Sequence, residues 1–258
     1  GPVTGGPTSC PPSPSAPPPS DDADVGDELD TEPSVADPPA PTDVVVDDVW
    51  HTSGMRATGS DDVRVEGVFV PEHRTLVAED LLECGPVTAG DGLAHLPVMA
   101  VLALMAAAPA VGAAERAVAE YEERLRSRVL AYSFGDKAAE QPAAQVRLGT
   151  ALADVRAARA ALDGGVAVLG GIATSADPMA DRMAVRLAAA DAVRRSVAVI
   201  SAVCAGAGAS VYKADAPLQR LQRDVEVLKG HVIFDWDRTT ELAGRVALGL
   251  PLRPADRL

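Results

Sequence analysis

The fold is indicated first by residues 217–250, PLQRLQRDVEVLKGHVIFDWDRTTELAGRVALGL, because their apolar residues recur with the period of an amphipathic helix. The residues at spacings of three and four are Leu218, Leu221, Val225, Leu228, Val232 and Trp236. Pro217 suits the first helical turn, and Gly249 followed by Pro251 is typical of a C-terminal stop. We therefore predict one long helix with a single buried face across this stretch.

His231 lies in the middle of this predicted helix, between two carboxylates. Asp224 comes seven residues before it and Asp235 four residues after it, so a continuous helix would place all three side chains on one face. A histidine flanked by carboxylates can be a tuned acid or base, whereas the simpler interpretation is a solvated face of ion pairs. The spacing alone leaves both interpretations open.

The composition favours close-packed helices and a reducing, cytoplasmic environment. Of the 258 residues, 47 % are hydrophobic but only 3 % are aromatic, and alanine carries much of the apolar share. The net charge of −14 argues against nucleic acid or an anionic membrane as a partner. Cys10, Cys84 and Cys204 are widely spaced, which predicts no disulfide framework.

The common catalytic and metal-binding motifs do not occur in the sequence. It contains no GxGxxG, Walker, CxxC, HExxH or GxSxG pattern. The four histidines are far apart in the chain: His51, His73, His95 and His231. No metal site is therefore predicted.

Residues 1–42 are predicted to be a disordered, low-complexity tail. They hold twelve of the 21 prolines and eight acidic residues, with no Lys or Arg. Such a segment cannot bury enough apolar surface to offset the entropy lost on ordering. An inert tail, a linker and a proline-rich docking ligand all fit this composition.

Residues 43–76 are predicted to form a small β fragment. Residues 43–50 are rich in valine, and residues 62–70 alternate as in a half-buried strand that ends before Pro71. Turn-forming residues separate the two segments. Two strands alone are marginally stable in water, so the fragment must pack on something else.

Residues 77–258 are predicted to be a C-terminal helical bundle domain. Residues 96–114 carry no charge over nineteen positions, a length that could span a membrane. Their many alanines, Pro109 and the charged helix that continues to Arg128 favour instead a helix buried on all sides within a bundle.

Two further helices are predicted between that segment and the C-terminal one. The first covers residues 142–163, with Gly164 and Gly165 as a break or kink, and the second covers residues 178–205. Together with residues 217–250 these segments make four long helices joined by short loops, which is typical of a helix bundle.

Two stretches resemble the acyl-CoA dehydrogenase superfamily. WHTSGMRATGSDDVRVEGVFVPEHR, residues 50–74, is similar to the end of its β-domain, where a W…SG-x-R-x-T-x-S turn precedes a strand ending in F-V-P. PLQRLQRDVEVLKGH, residues 217–231, resembles its last long helix. The resemblance covers about residues 43–250. It implies a mainly α chain: a C-terminal antiparallel four-helix bundle of acyl-CoA dehydrogenase type, preceded by a remnant of the β-domain and the tail.

The residues after Arg223 and Asp224 distinguish two branches of this superfamily. Acyl-CoA dehydrogenases carry an E-G-T motif there, whereas this chain has VEVLKGHVIFDWD, which places His231 in that region. This is similar to the oxygenase components of two-component flavin-dependent monooxygenases, in which a histidine at this place faces the flavin. The resemblance implies that His231 is catalytic, supporting a flavin hydroperoxide or acting as an acid or base, and that Asp235 orients its ring.

The resemblance also implies residues for the cofactor, reduced FMN or FAD that is not covalently bound. Thr58 and Ser60 lie in the turn that sits near the flavin in the family, while Arg56 in that turn is structural. Arg126 and Arg128 occupy the region where a bundle helix offers cations to the cofactor of its own or a neighbouring subunit. The alternative for both arginines is a solvated helix face.

The function implied is that of an oxygenase that uses reduced flavin and O₂ on a small-molecule substrate. Its partners would be a separate flavin reductase and further copies of itself, as a dimer or tetramer. The family has a helical domain and a full β-domain before the part that corresponds to residue 43, so activity of the chain on its own stays open. Two alternatives remain: a non-catalytic helical assembly subunit of the same fold, and an acyl-CoA dehydrogenase, which the missing E-G-T motif disfavours.

Overall fold

Five α-helices and a two-stranded ribbon form the part of the chain that the structure, a computed structural model, describes: residues 44–75, 77, 96–131, 133–253, 256 and 258. The strands are β1 (Val44–Asp47) and β2 (Asp62–Val65). The helices are α1 (Val98–Ser127), α2 (Pro142–Gly171), α3 (Pro178–Ala207), α4 (Pro217–Leu228) and α5 (Trp236–Ala247). The predicted tail, residues 1–42, lies outside the described residues.

Helix α3 is the centre of the bundle, since it contacts each of the four other helices. Its buried face is made largely of small side chains, and alanines also line the buried face of α1. Small side chains let helix backbones approach closely and pack at high density. The prediction of a mainly helical bundle with a small β fragment is therefore confirmed.

Helix α1 packs on its neighbours along one side only. Ala103, Ala107 and Ala110 are fully buried, whereas Leu102 and Met105 are exposed. The prediction of a helix buried on all sides is wrong, because α2 and α3 cover only its alanine-rich face. By length and composition alone this helix could also cross a membrane, a test that the core helix of a soluble protein passes equally.

Helix α2 continues through the two glycines that were expected to break it and ends at Gly171. Gly165 is buried, and a Cβ on it would lie 2.8 Å from Leu104 Cδ2 and 3.2 Å from Ala188 Cβ. This glycine therefore serves the close approach of α2 to α1 and α3 rather than a bend in the chain.

The predicted single helix over residues 217–250 is wrong, because the chain leaves the helical path between Leu228 and Trp236. A short 3₁₀ turn, Val232–Phe234, lies in this connection. Asp235 then starts α5 as an N-cap, its Oδ1 accepting the N–H of Arg238 at 3.0 Å.

The break changes which side chains of this stretch enter the core. Ile233 and Phe234 are buried, whereas Val232 is exposed and Trp236 is half-buried. The end of the stretch follows the prediction, since α5 stops at Ala247 and Gly249 has the positive φ of a helix C-terminus.

Strands β1 and β2 form an antiparallel ribbon in which Val44 pairs with Val65 and Val46 with Val63. These four valines share one face of the ribbon, and β2 is exposed along its whole length. The prediction of a half-buried second strand is therefore wrong. Among the described residues, no further strand joins the ribbon.

Candidate functional site

The loop between the two strands is held in one conformation by its own hydrogen bonds. Asp61 Oδ1 accepts the backbone N–H groups of Val49 (3.0 Å) and Trp50 (2.9 Å), and Trp50 Nε1 donates to the carbonyl of Met55 at 2.9 Å. Met55 has φ +54°, and it is the one non-glycine residue with positive φ in the described part of the chain. Thr58 caps the turn by donating its hydroxyl to the same Met55 carbonyl at 2.7 Å.

This loop is fixed on helix α4 by three contacts. Asp224 Oδ1 accepts the backbone N–H of Met55 at 2.7 Å, and a guanidinium nitrogen of Arg223 donates to the carbonyl of Ser53 at 2.8 Å. Gly54 is buried between them, where a Cβ would lie 2.7 Å from the backbone nitrogen of Asp224 and closer still to the Arg223 carbonyl. The loop therefore rests backbone against backbone on α4.

A cleft of about 490 Å³ lies between this loop and the end of α4. Its lining residues are Trp50, Met55, Thr58, Ser60, Val227, Leu228, Gly230, His231 and Val232. The lining is mostly apolar and includes two hydroxyls and one imidazole. Such a lining suits a flat, largely apolar ring system that carries polar groups on its rim. The structure thus brings the predicted residues Thr58, Ser60 and His231 to a single cleft.

The imidazole of His231 has one ring nitrogen engaged. Nδ1 accepts the N–H of Ile233 at 3.2 Å, and the ring lies 6.1 Å from the Phe234 ring at a tilted angle. Because Nδ1 is an acceptor, the neutral imidazole carries its proton on Nε2 and can donate it to a ligand. The side chain is exposed to solvent at the cleft.

A buried arginine supports the connection that carries His231. A guanidinium nitrogen of Arg186 donates to the carbonyl of Val232 at 3.4 Å, and its Nε donates to Thr239 Oγ1 at 3.4 Å. Burial lowers the pKa of the Arg186 guanidinium, and the nearby Arg238 charge acts in the same direction. The wall of the cleft at Val232 is therefore tied to the core of α3 and to α5.

Asp235 lies in a different environment from His231. It caps α5 and lines a second cleft, of about 400 Å³, whose walls include Val193, Arg194 and Trp236. Among the described residues, no hydrogen bond joins Asp235 to His231, so the predicted orienting contact is not formed. The expectation that Asp224, His231 and Asp235 share one helix face is wrong, because the helix ends before His231.

Arg126 and Arg128 lie at the C-terminal end of α1, and neither is among the residues that line the His231 cleft. Arg126 pairs with Glu122 on the exposed face of α1. Arg128 donates to the carbonyl of Ala207 at 2.7 Å and so caps the end of α3.

Sequence reasoning identified neither Met55 as a site residue nor the contact that Asp224 makes with it. The motif around Gly54 indicated a turn, and Asp224 was placed beside His231, but nothing in the spacing connected the two segments. Across the described ranges, no three His, Cys, Asp or Glu side chains are close enough to hold a metal ion.

The class of protein follows from comparison with known families. The family model described as acyl-CoA dehydrogenase, C-terminal domain, matches residues 104–236, which is slightly more than half of the chain. The chain therefore belongs to the acyl-CoA dehydrogenase family.

Particular relatives place it near flavin-dependent monooxygenases. It is 34 % identical to the pigment production hydroxylase of a Rhodococcus species over 81 % of this chain and 55 % of that protein. It is 32 % identical to the oxygenase subunit HsaA, a flavin-dependent monooxygenase of Rhodococcus jostii, over 81 % of this chain and 56 % of HsaA. The chain thus spans about half the length of the curated relatives it matches.

A solved structure of a protein bound to reduced flavin has a similar fold. XiaF from a Streptomyces species, determined in complex with FADH2 and glycerol, superposes with a TM-score of 0.75. The sequence identity is 26 %, and the match covers 84 % of this chain and 56 % of XiaF.

Proposed function

We propose that this chain is part of the oxygenase component of a two-component flavin-dependent monooxygenase, and that the His231 cleft is its flavin site. The observation that supports this most directly is the convergence of Thr58, Ser60 and His231 on one mostly apolar cleft. Thr58 and Ser60 come from the interstrand loop, whereas His231 follows α4. The monooxygenase relatives support the same proposal independently.

The cleft residues fit reduced FMN or FAD, held without a covalent bond. Bound reduced flavin would supply two electrons, so that one atom of O₂ enters the substrate and the other leaves as water. The apolar walls formed by Val227, Leu228 and Trp50 would keep water away from the ring system. The hydroxyls of Thr58 and Ser60 would orient its polar rim by hydrogen bonds.

His231 is the proposed acid or base of the site. With Nδ1 engaged by Ile233, its Nε2–H is the group that can donate a proton or hold a polar atom at the cleft. Asp235 would act on the imidazole only indirectly, since it caps α5 and so fixes the end of the connection that carries His231.

The proposed partners are a separate flavin reductase, a small-molecule substrate and further copies of this chain. Arg128 keeps guanidinium donors beyond the one bonded to Ala207, and Arg126 is exposed. We propose that both serve the phosphate of a flavin held by a neighbouring subunit, because neither lines the cleft of its own chain.

The test adds reduced FMN or FADH2 to the chain without oxygen, then mixes in O₂ and measures the rate at which H₂O₂ is released. A site that binds reduced flavin and excludes water should delay the release of H₂O₂ relative to flavin without protein, and His231→Ala should shorten the delay. Peroxide release at the rate of protein-free flavin would contradict the proposal.

A second candidate is a non-catalytic assembly subunit of the same fold. The exposed valine face of the ribbon and the exposed Leu102 and Met105 on α1 favour it, because such apolar surfaces are usually covered. This candidate predicts self-association in solution together with no effect on peroxide release.

A further inference from the structure

We infer that Asp224 is a positioning residue for the candidate flavin cleft, acting through the backbone of Met55 on Thr58 and Ser60. The contact between Asp224 and Met55 stands on geometry alone. Its consequence for flavin rests on the proposed function. Asp224 itself is not among the residues that line the cleft.

Met55 is the residue on which the loop depends. Its N–H is bound by Asp224, and its carbonyl accepts from Trp50 Nε1 at 2.9 Å and from the N–H and hydroxyl of Thr58 at 3.1 and 2.7 Å. Its positive φ is unfavourable for a side chain without local polar groups, so the conformation persists only while its neighbours hold it.

A connected series of hydrogen bonds links helix α4 to the residues of the cleft. Asp224 holds Met55, Met55 holds the backbone and hydroxyl of Thr58, and Ser60 Oγ donates to Thr58 Oγ1 at 3.3 Å. Three of these residues, Met55, Thr58 and Ser60, line the same cleft as His231. A change at Asp224 therefore reaches the cleft directly at Met55, and reaches Ser60 through three successive contacts.

Among the contacts between the loop and helix α4, the hydrogen bond to Asp224 is expected to hold the loop most strongly. A carboxylate that accepts an amide N–H makes a charge-assisted bond, which is stronger than a neutral one. Asp224 is half-buried, whereas Arg223, the partner of Ser53, is exposed, so water can replace the Arg223 contact more easily. Without Oδ1, the Met55 amide would be left half-buried with no acceptor, and Met55 would be free to leave the left-handed region.

The first test measures amide hydrogen exchange at Met55 in the full chain, with Asp224→Ala, Asp224→Asn and Glu226→Ala as variants. Asp224→Ala should speed exchange by about tenfold or more, because it removes a hydrogen bond to a charged acceptor. Asp224→Asn keeps an oxygen at Oδ1 and should restore most of the protection. Glu226→Ala is the matched control, since Glu226 lies on the same helix and pairs with Lys229. Unchanged exchange in Asp224→Ala would overturn the inference.

The second measurement is the dissociation constant of reduced FMN, taken without oxygen, for the same four proteins. Asp224→Ala should weaken binding about tenfold, with Asp224→Asn close to wild type and the thermal unfolding midpoint little changed. Faster exchange with undiminished flavin binding would overturn the positioning role. If the wild-type chain bound no flavin, the proposed function and the positioning role would both fail, while the exchange result would still measure the contact itself.

Discussion

Gly54 lies so close to Arg223 that no side chain fits between the interstrand loop and helix α4. A Cβ at position 54 would be 2.7 Å from the next backbone nitrogen, that of Asp224, and nearer still to the carbonyl of Arg223. Both neighbours are backbone atoms, which cannot rotate away as a side chain can. The glycine therefore sets how closely the loop carrying Thr58 and Ser60 approaches the helix that leads to His231.

Gly54→Ala should detach the loop from α4. We expect a loss of about 1–3 kcal/mol in the free energy of unfolding, because an extra methyl group is forced against backbone. Trypsin should also cut faster after Arg56, which lies in the same loop. Urea denaturation and a timed digest measure the two effects.

Gly149→Ala is the matched control for that substitution. Gly149 lies within α2, and a Cβ on it would meet nothing within 4 Å. The same change should therefore stabilise the chain by about 0.5–1 kcal/mol. Similar effects at both positions would show that the contact at Gly54 is not tight.

Gly165 and Leu104 should show coupled stability effects. Gly165→Ala places a methyl group 2.8 Å from Leu104 Cδ2 and should cost about 1–3 kcal/mol. Leu104→Ala removes the clashing atom, so the double variant should be more stable than the sum of the single effects predicts, by about 0.5–3 kcal/mol. A urea-denaturation cycle measures the coupling, and additivity within about 0.5 kcal/mol would contradict the packing.

The helical bundle could be predicted from sequence because apolar and alanine positions recur at helical spacing over long segments. The break after Leu228 was also visible in the sequence, as Gly230 followed by Asp235 ahead of a new helical pattern. The apolar spacing nevertheless predicts a continuous helix, because Val232 and Trp236 continue the period of α4, whereas the residues buried there are Ile233 and Phe234. Two registers of apolar residues overlap there, and only packing against α3 selects one.

The contact between Met55 and Asp224, which supports the candidate site, could not be predicted from spacing. Met55 and Asp224 are 169 residues apart, and a hydrogen bond between a backbone amide and a carboxylate leaves no pattern in either segment. His231, Thr58 and Ser60 were identified by resemblance, not by periodicity. For the exposed valines of the ribbon, spacing gives a prediction that the structure does not follow. They alternate as in a strand with one buried face, but the described residues do not cover that face.

Asp191 should make stability depend on pH in the acid range. Burial alone would raise its pKa, but hydrogen bonds from Arg195 (2.7 Å) and Arg194 (2.6 Å) outweigh burial and leave the pKa below its ordinary value of 3.8. The carboxyl has a lower pKa in the folded chain than in the unfolded one. Its stabilising effect is therefore complete above pH 3.8 and is lost as the pH falls through the pKa of the folded chain.

Asp191→Asn should accordingly lower the free energy of unfolding by about 0.5–1 kcal/mol at pH 7. The difference from wild type should shrink as the pH falls below 3.8. Asp215→Asn, at an exposed position, is the control and should have little effect at any pH. If the difference in unfolding free energy between Asp191→Asn and wild type stayed constant as the pH fell, the stabilising role of the ion pairs with Arg194 and Arg195 would be contradicted.

Cys204 should resist alkylation in the folded chain. The side chain is 1 % exposed, its Sγ lies 3.8 Å from the carbonyl of Leu218, and burial raises the pKa of the thiol. Both the low exposure and the low thiolate fraction slow reaction with iodoacetamide. We expect labelling at pH 8 to be at least about a hundredfold slower than in urea, as followed by peptide mass spectrometry. Rapid labelling under native conditions would mean that α3 and α4 are not packed as described.

Titration of the full chain with reduced FMN and FADH2, without oxygen, measures whether the His231 cleft holds a flavin. Val232 is exposed on the wall of the cleft, so Val232→Trp should fill that space while leaving the core intact. We expect the wild type to retain one of the two flavins at micromolar concentration. Val232→Trp should bind it at least about tenfold more weakly, a loss of about 1.4 kcal/mol. No retention, or equal binding by the two proteins, would contradict a flavin site in this cleft.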